Sequence, residues 1–130
     1  MAEFNFKQAV YAGMIAIAGV DDDVSKNEIK NVDRVFKLDY NLTKKEKKEV
    51  LELWESNKGN FTQIVIDELK TFSEQDQKDA FTRAKRFINF TKNQYNRSKE
   101  AVEKGIDPKR EEIYQYLERA EEIKVGLGLI

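Results

Sequence analysis

Histidine and cysteine are absent from this chain, and proline occurs once. Without imidazole there is no Ser-His-Asp triad, no side-chain base that titrates unperturbed near neutrality, and no His-bearing zinc site. Without thiol there is no thiolate nucleophile, iron–sulfur cluster or redox pair. An excess of charge of one sign is also missing: 23 Lys and Arg face 24 Asp and Glu. The chain as a whole is therefore not the basic object that coats duplex DNA. Nor is there a long hydrophobic run. The most apolar stretch, Ala9 to Val20, spans 12 residues, against the roughly 18 that a membrane span requires. Glu3 and Lys7 precede it where a secretory leader would be basic, and no small-residue cleavage site follows. A cytoplasmic protein is expected, which the lack of cysteine suits.

What is present is helical pattern. At 130 residues the chain makes a single domain, residues 1–130, large enough to bury a core without disulfide or metal. Phe6, Val10, Met14 and Ile17 recur at helical spacing, with Tyr11, Ile15 and Ala18 on a second apolar face. Helix 1, over about residues 4 to 19, is thus expected at the centre of the core. Its small residues Ala9, Ala12, Gly13 and Ala16 let neighbours come close. Ser25-Lys26-Asn27-Glu28 reads as a capping box that opens a helix with Ile29, Val32, Val35 and Phe36 on one face. Thr43-Lys44-Lys45-Glu46 repeats the signal before Val50, Leu51 and Trp54, and that helix is expected to stop near Lys58-Gly59.

A fourth helix carries Phe61, Ile64, Val65, Leu69 and Phe72. Ser73 caps a long fifth segment whose period runs through Ala80, Ala84, Phe87, Thr91, Tyr95, Ser98 and Val102 almost to Gly105. That length leaves room for a kink or split near Asn93 to Ser98. Asp107-Pro108 places a cap and a first-turn proline before Ile113, Tyr116, Ala120 and Ile123. The tail, Val125 to Ile130, is apolar enough to pack back on the bundle. Strict alternation, the mark of a half-buried strand, is not evident. The expected fold is all-α, a compact bundle of six to seven helices.

The acidic bend after helix 1 holds the candidate site. Asp21, Asp23 and Glu28 place carboxylates on one short loop and the first turn of the next helix, an oxygen-rich set that suits a hard cation. With no His or Cys to add, Ca²⁺, Mg²⁺ or Mn²⁺ are favoured over Zn²⁺ or Cu²⁺. An EF-hand is excluded: Asp21, Asp23 and Ser25 fit loop positions one, three and five, but Lys26 stands where glycine is required and Val32 where the bidentate glutamate belongs. Against a metal stands the plainer account, in which Glu28 serves the capping box and acids at a helix start answer its dipole.

These residues carry a family resemblance. The run Ala16 to Glu28, with Asp21 and Val24-Ser25-Lys26-Asn27-Glu28, resembles the A-x-x-D-G-x-(V/I)-S-x-x-E signature of the TerB-like tellurite-resistance family, which also takes in the N-terminal domain of the membrane co-chaperone DjlA. Phe36 to Glu46 is similar to that family's continuation into the next helix, and Ile123-Lys124-Val125-Gly126-Leu127 to its ending. Asp22 stands in place of the usual glycine, and the only counterpart of a second acidic motif is Asp107 to Glu111, without glycine and with altered spacing. The resemblance implies a helical TerB-like domain in which Asp21 and Glu28 belong to a metal or charged-ligand site, and an association with stress or tellurite resistance.

Between Asp79 and Glu100 the fifth helix has no acid but six cations, Arg83, Lys85, Arg86, Lys92, Arg97 and Lys99, among Phe81, Phe87, Phe90 and Tyr95. They are expected as a solvated face, or as partners of the Asp21 to Asp23 loop and the Glu-rich last helix. A nucleic-acid role is not expected. Lys44, Lys45, Lys47 and Lys48, diluted by Glu46 and Glu49, read as an exposed helix face. The six glycines form no phosphate loop, and no acid pair can be singled out for hydrolysis. The expected function is binding, not turnover: a module with a divalent-cation site at Asp21, Asp23 and Glu28, or a protein-interaction module without metal that docks through the acidic loop and the cationic fifth helix. Another protein is the expected partner, and the oligomeric state is left open.

Overall fold

The computed structural model describes residues 4–19, 24–96 and 110–129. All regular structure among them is helical: α1 (Phe6–Ala18), α2 (Lys26–Phe36), α3 (Lys44–Ser56), a 3₁₀ turn (Lys58–Asn60), α4 (Phe61–Leu69), α5 (Glu74–Asn96) and α6 (Arg110–Leu127). Six α-helices thus stand among the described residues, the lower end of the expected number. The Asp107-Pro108 boundary and the expected end of the fifth helix near Gly105 lie outside them.

Helices α1, α2, α3 and α5 begin where short-range hydrogen bonds dictate. The Ser25 hydroxyl accepts the Glu28 N–H at 3.1 Å while a Glu28 carboxylate oxygen accepts the Ser25 N–H at 3.0 Å. Thr43 and Glu46 repeat the exchange at 3.1 and 3.0 Å, and Ser73 accepts from Asp76 at 3.2 Å. A third box, Asn5 with Gln8, opens α1; Asn-x-x-Gln carries the same signature, and the sequence reading passed over it. The Gln8 amide also donates to the Glu46 carbonyl at 3.2 Å and to the Glu49 carboxylate at 3.0 Å, which explains how a polar residue lies buried on the central helix. Donors at Thr43, first, and Asn5 hold the exposed Glu46 carboxyl below its ordinary range.

Every residue of α1 from Gln8 to Ala18 is buried, and the other five helices all pack against it. Close approach has two visible devices. A Cβ at Gly13 would stand 3.1 Å from the Ala84 Cβ of α5, so glycine sets the α1–α5 spacing. At Gly19 a Cβ would fall inside the Trp54 indole of α3, so the end of α1 is closed by a ring that only glycine admits. Trp54 in turn meets the Phe61 ring edge-on, centroids 5.4 Å apart.

Of the expected tail, Leu127 and Leu129 pack on the core, while Val125 is exposed and Ile130 lies outside the described residues. Gly128 has φ of 72°, its N–H donates to the Val125 carbonyl at 3.0 Å, and that of Leu129 to the Lys124 carbonyl at 3.0 Å. This is the paired closure that a left-handed glycine allows after a helix. It turns Leu129 back onto the core beside buried Leu127. No helix among the described residues is long and apolar enough to cross a membrane.

Candidate functional site

Of the three predicted site residues, Glu28 is described, and Asp21 and Asp23 lie outside the described residues. Glu28 is half-buried on the first turn of α2. Its capping-box geometry places the carboxylate back over the helix start. The second oxygen then accepts the Tyr116 hydroxyl of α6 at 2.6 Å. Tyr116 is buried, and its ring packs on Phe87 of α5 with centroids 5.2 Å apart. One carboxylate thereby joins the entry of α2 to α5 and α6.

Beside it opens a cavity of about 210 Å³ walled by Asn27, Glu28, Asn31, Thr91 and Tyr116. The lining is rich in side-chain oxygens, and the space holds several water-sized groups. A carboxylate has about four acceptor directions, so one already oriented by a backbone amide and a phenol can still take a cation. Such outer contacts are what hold a ligand in place for a metal. Among the described residues, no group of three Asp or Glu is gathered for an ion, and Asp21 and Asp23 lie outside them. The Thr91 hydroxyl donates to the Phe87 carbonyl at 3.0 Å, a satisfied buried polar group rather than an added ligand.

The cations of α5 find a partner that the sequence reading did not name. The two carboxylate oxygens of Asp39, in the turn after α2, take Arg83 at 3.0 Å and Arg86. Arg83 also reaches Asp79 at 3.1 Å and lies over the Tyr40 ring, 5.1 Å from its centroid. These two arginines are thus paired across the bundle with an acid outside the expected partners; the Asp21 to Asp23 loop lies outside the described residues. Tertiary placement decides this, since Asp39 precedes Arg86 by 47 residues.

In the Lys44 to Lys48 cluster, Lys44, Lys45 and Lys48 are exposed as expected, whereas Lys47 is half-buried. It reaches Asp33 of α2 at 2.6 Å, and the other Asp33 oxygen accepts the Tyr11 hydroxyl at 2.9 Å. The available signal was Asp33 following Ile29 by four positions, an acid next to the apolar face. Burial, and then the Asp33 charge, push the Tyr11 hydroxyl well above its ordinary value. A folded-state value raised above the unfolded one stabilises fully below the unfolded value and is lost as pH rises past it. Above pH about 10 the wild type should therefore lose stability by about 1.4 kcal/mol more per pH unit than Tyr11→Phe. Urea midpoints from pH 9 to about 11.5 check this, and equal slopes for the two proteins would refute it.

Comparison of the chain with family models, with curated proteins and with solved structures gives no match.

Proposed function

We propose that this chain is a non-enzymatic binding module of TerB-like type that holds a hard divalent cation, Ca²⁺, Mg²⁺ or Mn²⁺, at the bend between α1 and α2. Asp21, Asp23 and Glu28 are its ligands in this reading. The observation that carries it is the Glu28 carboxylate, held by Ser25 and Tyr116 at the wall of an oxygen-rich cavity. The TerB-like assignment and any link to tellurite or stress rest on the sequence resemblance.

The rival reading is a metal-free protein-interaction module that docks through the acidic loop and α5. It draws less support, because Arg83 and Arg86 are committed to Asp39. A thermal-shift series with each cation tests the site. At a hundredfold excess over the dissociation constant, binding adds about 2.7 kcal/mol, roughly 10 °C for a domain of this size. The shift should disappear in Asp21→Asn, which leaves the capping box intact. If no cation moves the melting point, or if Asp21→Asn keeps the full shift, the cation reading fails.

A further inference from the structure

The second half of α6 faces a groove of about 710 Å³ shared with the 3₁₀ turn and the start of α4. Its apolar lining is Ile66, Val125 and Gly126, beside the polar side chains of Asn60, Thr62 and Gln63. A Cβ at Gly126 would come 2.6 Å from the Ile66 Cδ1, so glycine draws α6 down onto α4, while Val125 stands 68% exposed at the edge. Three exposed carboxylates, Glu118, Glu121 and Glu122, line it against a single cation, Arg119. That guanidinium is turned inward: it donates to the Thr62 hydroxyl, lies 3.9 Å from Glu122, and its side chain is 16% exposed. The groove therefore presents an apolar strip under a negative rim. On the same outer side of α6, Leu117 adds a further exposed apolar side chain, at 44%.

We infer that this groove docks a short basic segment of a partner protein, one in which two or more Lys or Arg flank a large apolar side chain. The apolar residue covers Val125 and the Ile66–Gly126 floor, where it supplies contact area. The cations meet Glu118, Glu121 and Glu122, which set orientation and speed encounter. A nucleic acid is disfavoured by the same rim, because its phosphates would meet three carboxylates. The inference is independent of the cation site, since no residue that lines this groove lines the cavity beside Glu28.

A random twelve-residue peptide library displayed on phage and panned on the full chain is the test, with the best peptide then resynthesised and titrated by fluorescence anisotropy. The enriched peptides should carry Lys or Arg around an aromatic or large aliphatic residue, and backbone amide shifts should cluster at residues 59–66 and 118–126. The double variant Glu118→Lys, Glu121→Lys should weaken binding at least about tenfold, and raised salt should weaken it further. Glu52→Lys, exposed on α3, should leave binding unchanged, and both variants should keep the wild-type melting point because the altered carboxylates are solvated. Neutral or acidic winners, no enrichment, or shifts centred elsewhere would overturn the inference. So would concentration-dependent self-association abolished by Val125→Glu, which would assign the groove to a second copy of the chain.

Discussion

Tyr116→Ala should destabilise the protein by about 3–5 kcal/mol, the range for deleting a buried aromatic ring. The ring is 1% exposed and packs on Phe87, so its removal opens a cavity where α5 and α6 meet. It also takes the phenol from Glu28. The two contributions separate in Tyr116→Phe, which keeps the ring and loses only the donor. Hydrogen bonds to charged acceptors are worth about 1.5–3 kcal/mol, and a half-buried carboxylate recovers part of that from water. A cost of about 1 kcal/mol is therefore expected for Tyr116→Phe. A double-mutant cycle with Glu28→Ala isolates the bond, since alanine can neither accept from nor donate to the phenol. If Tyr116→Phe costs as much with Ala at position 28 as with Glu, the tie between α2 and α6 contributes nothing.

Phe61→Ala should cost about as much, about 3–5 kcal/mol, and lower the melting temperature by roughly 10–20 °C. Phe61 is fully buried and its ring stands nearly at right angles to that of Trp54, 81° between planes. Trp54 is the single tryptophan of the chain, so its emission reports the change directly. The native spectrum of Phe61→Ala should move toward that of a water-exposed indole. Trp54 is also the ring that Gly19 admits at the end of α1, so the loss of Phe61 loosens the contact between α1, α3 and α4 together. A midpoint shift worth less than about 1 kcal/mol, with unchanged emission, would show that this contact is not part of the cooperative core.

Much of the architecture was legible because its causes are short-range. A capping box needs residues only three apart, so Ser25-Glu28 and Thr43-Glu46 announced the starts of α2 and α3 from sequence. Helical period likewise marked Val32, Val50, Phe61, Phe87, Tyr116 and Ile123 for the core, where all are buried. Asn5-Gln8 escaped notice although its pattern was equally local. The inward turn of Lys47 was obscured by the number of charges around it, since charge alone does not say which lysine has an acid across the bundle.

For the candidate site the division is sharper. Glu28 was readable both as a cap and as a possible ligand, because its position relative to Ser25 is local. Its second bond could not be read, since Tyr116 lies 88 residues away and carried only the pattern of a core aromatic. The same holds for Asp39, whose place between Arg83 and Arg86 only the fold sets.

By itself, then, the sequence determined helical class, the starts of α2, α3 and α5, the central place of α1 and the exclusion of His- and Cys-based chemistry, all consequences of composition and of spacings within one or two turns. The pairing of Glu28 with Tyr116, of Asp33 with Tyr11 and Lys47, of Asp39 with two arginines, and the acidic groove between α4 and α6 were decided only by the tertiary structure. A charged side chain selects its partner by distance and burial after the helices have packed, and neither quantity is written in a linear pattern.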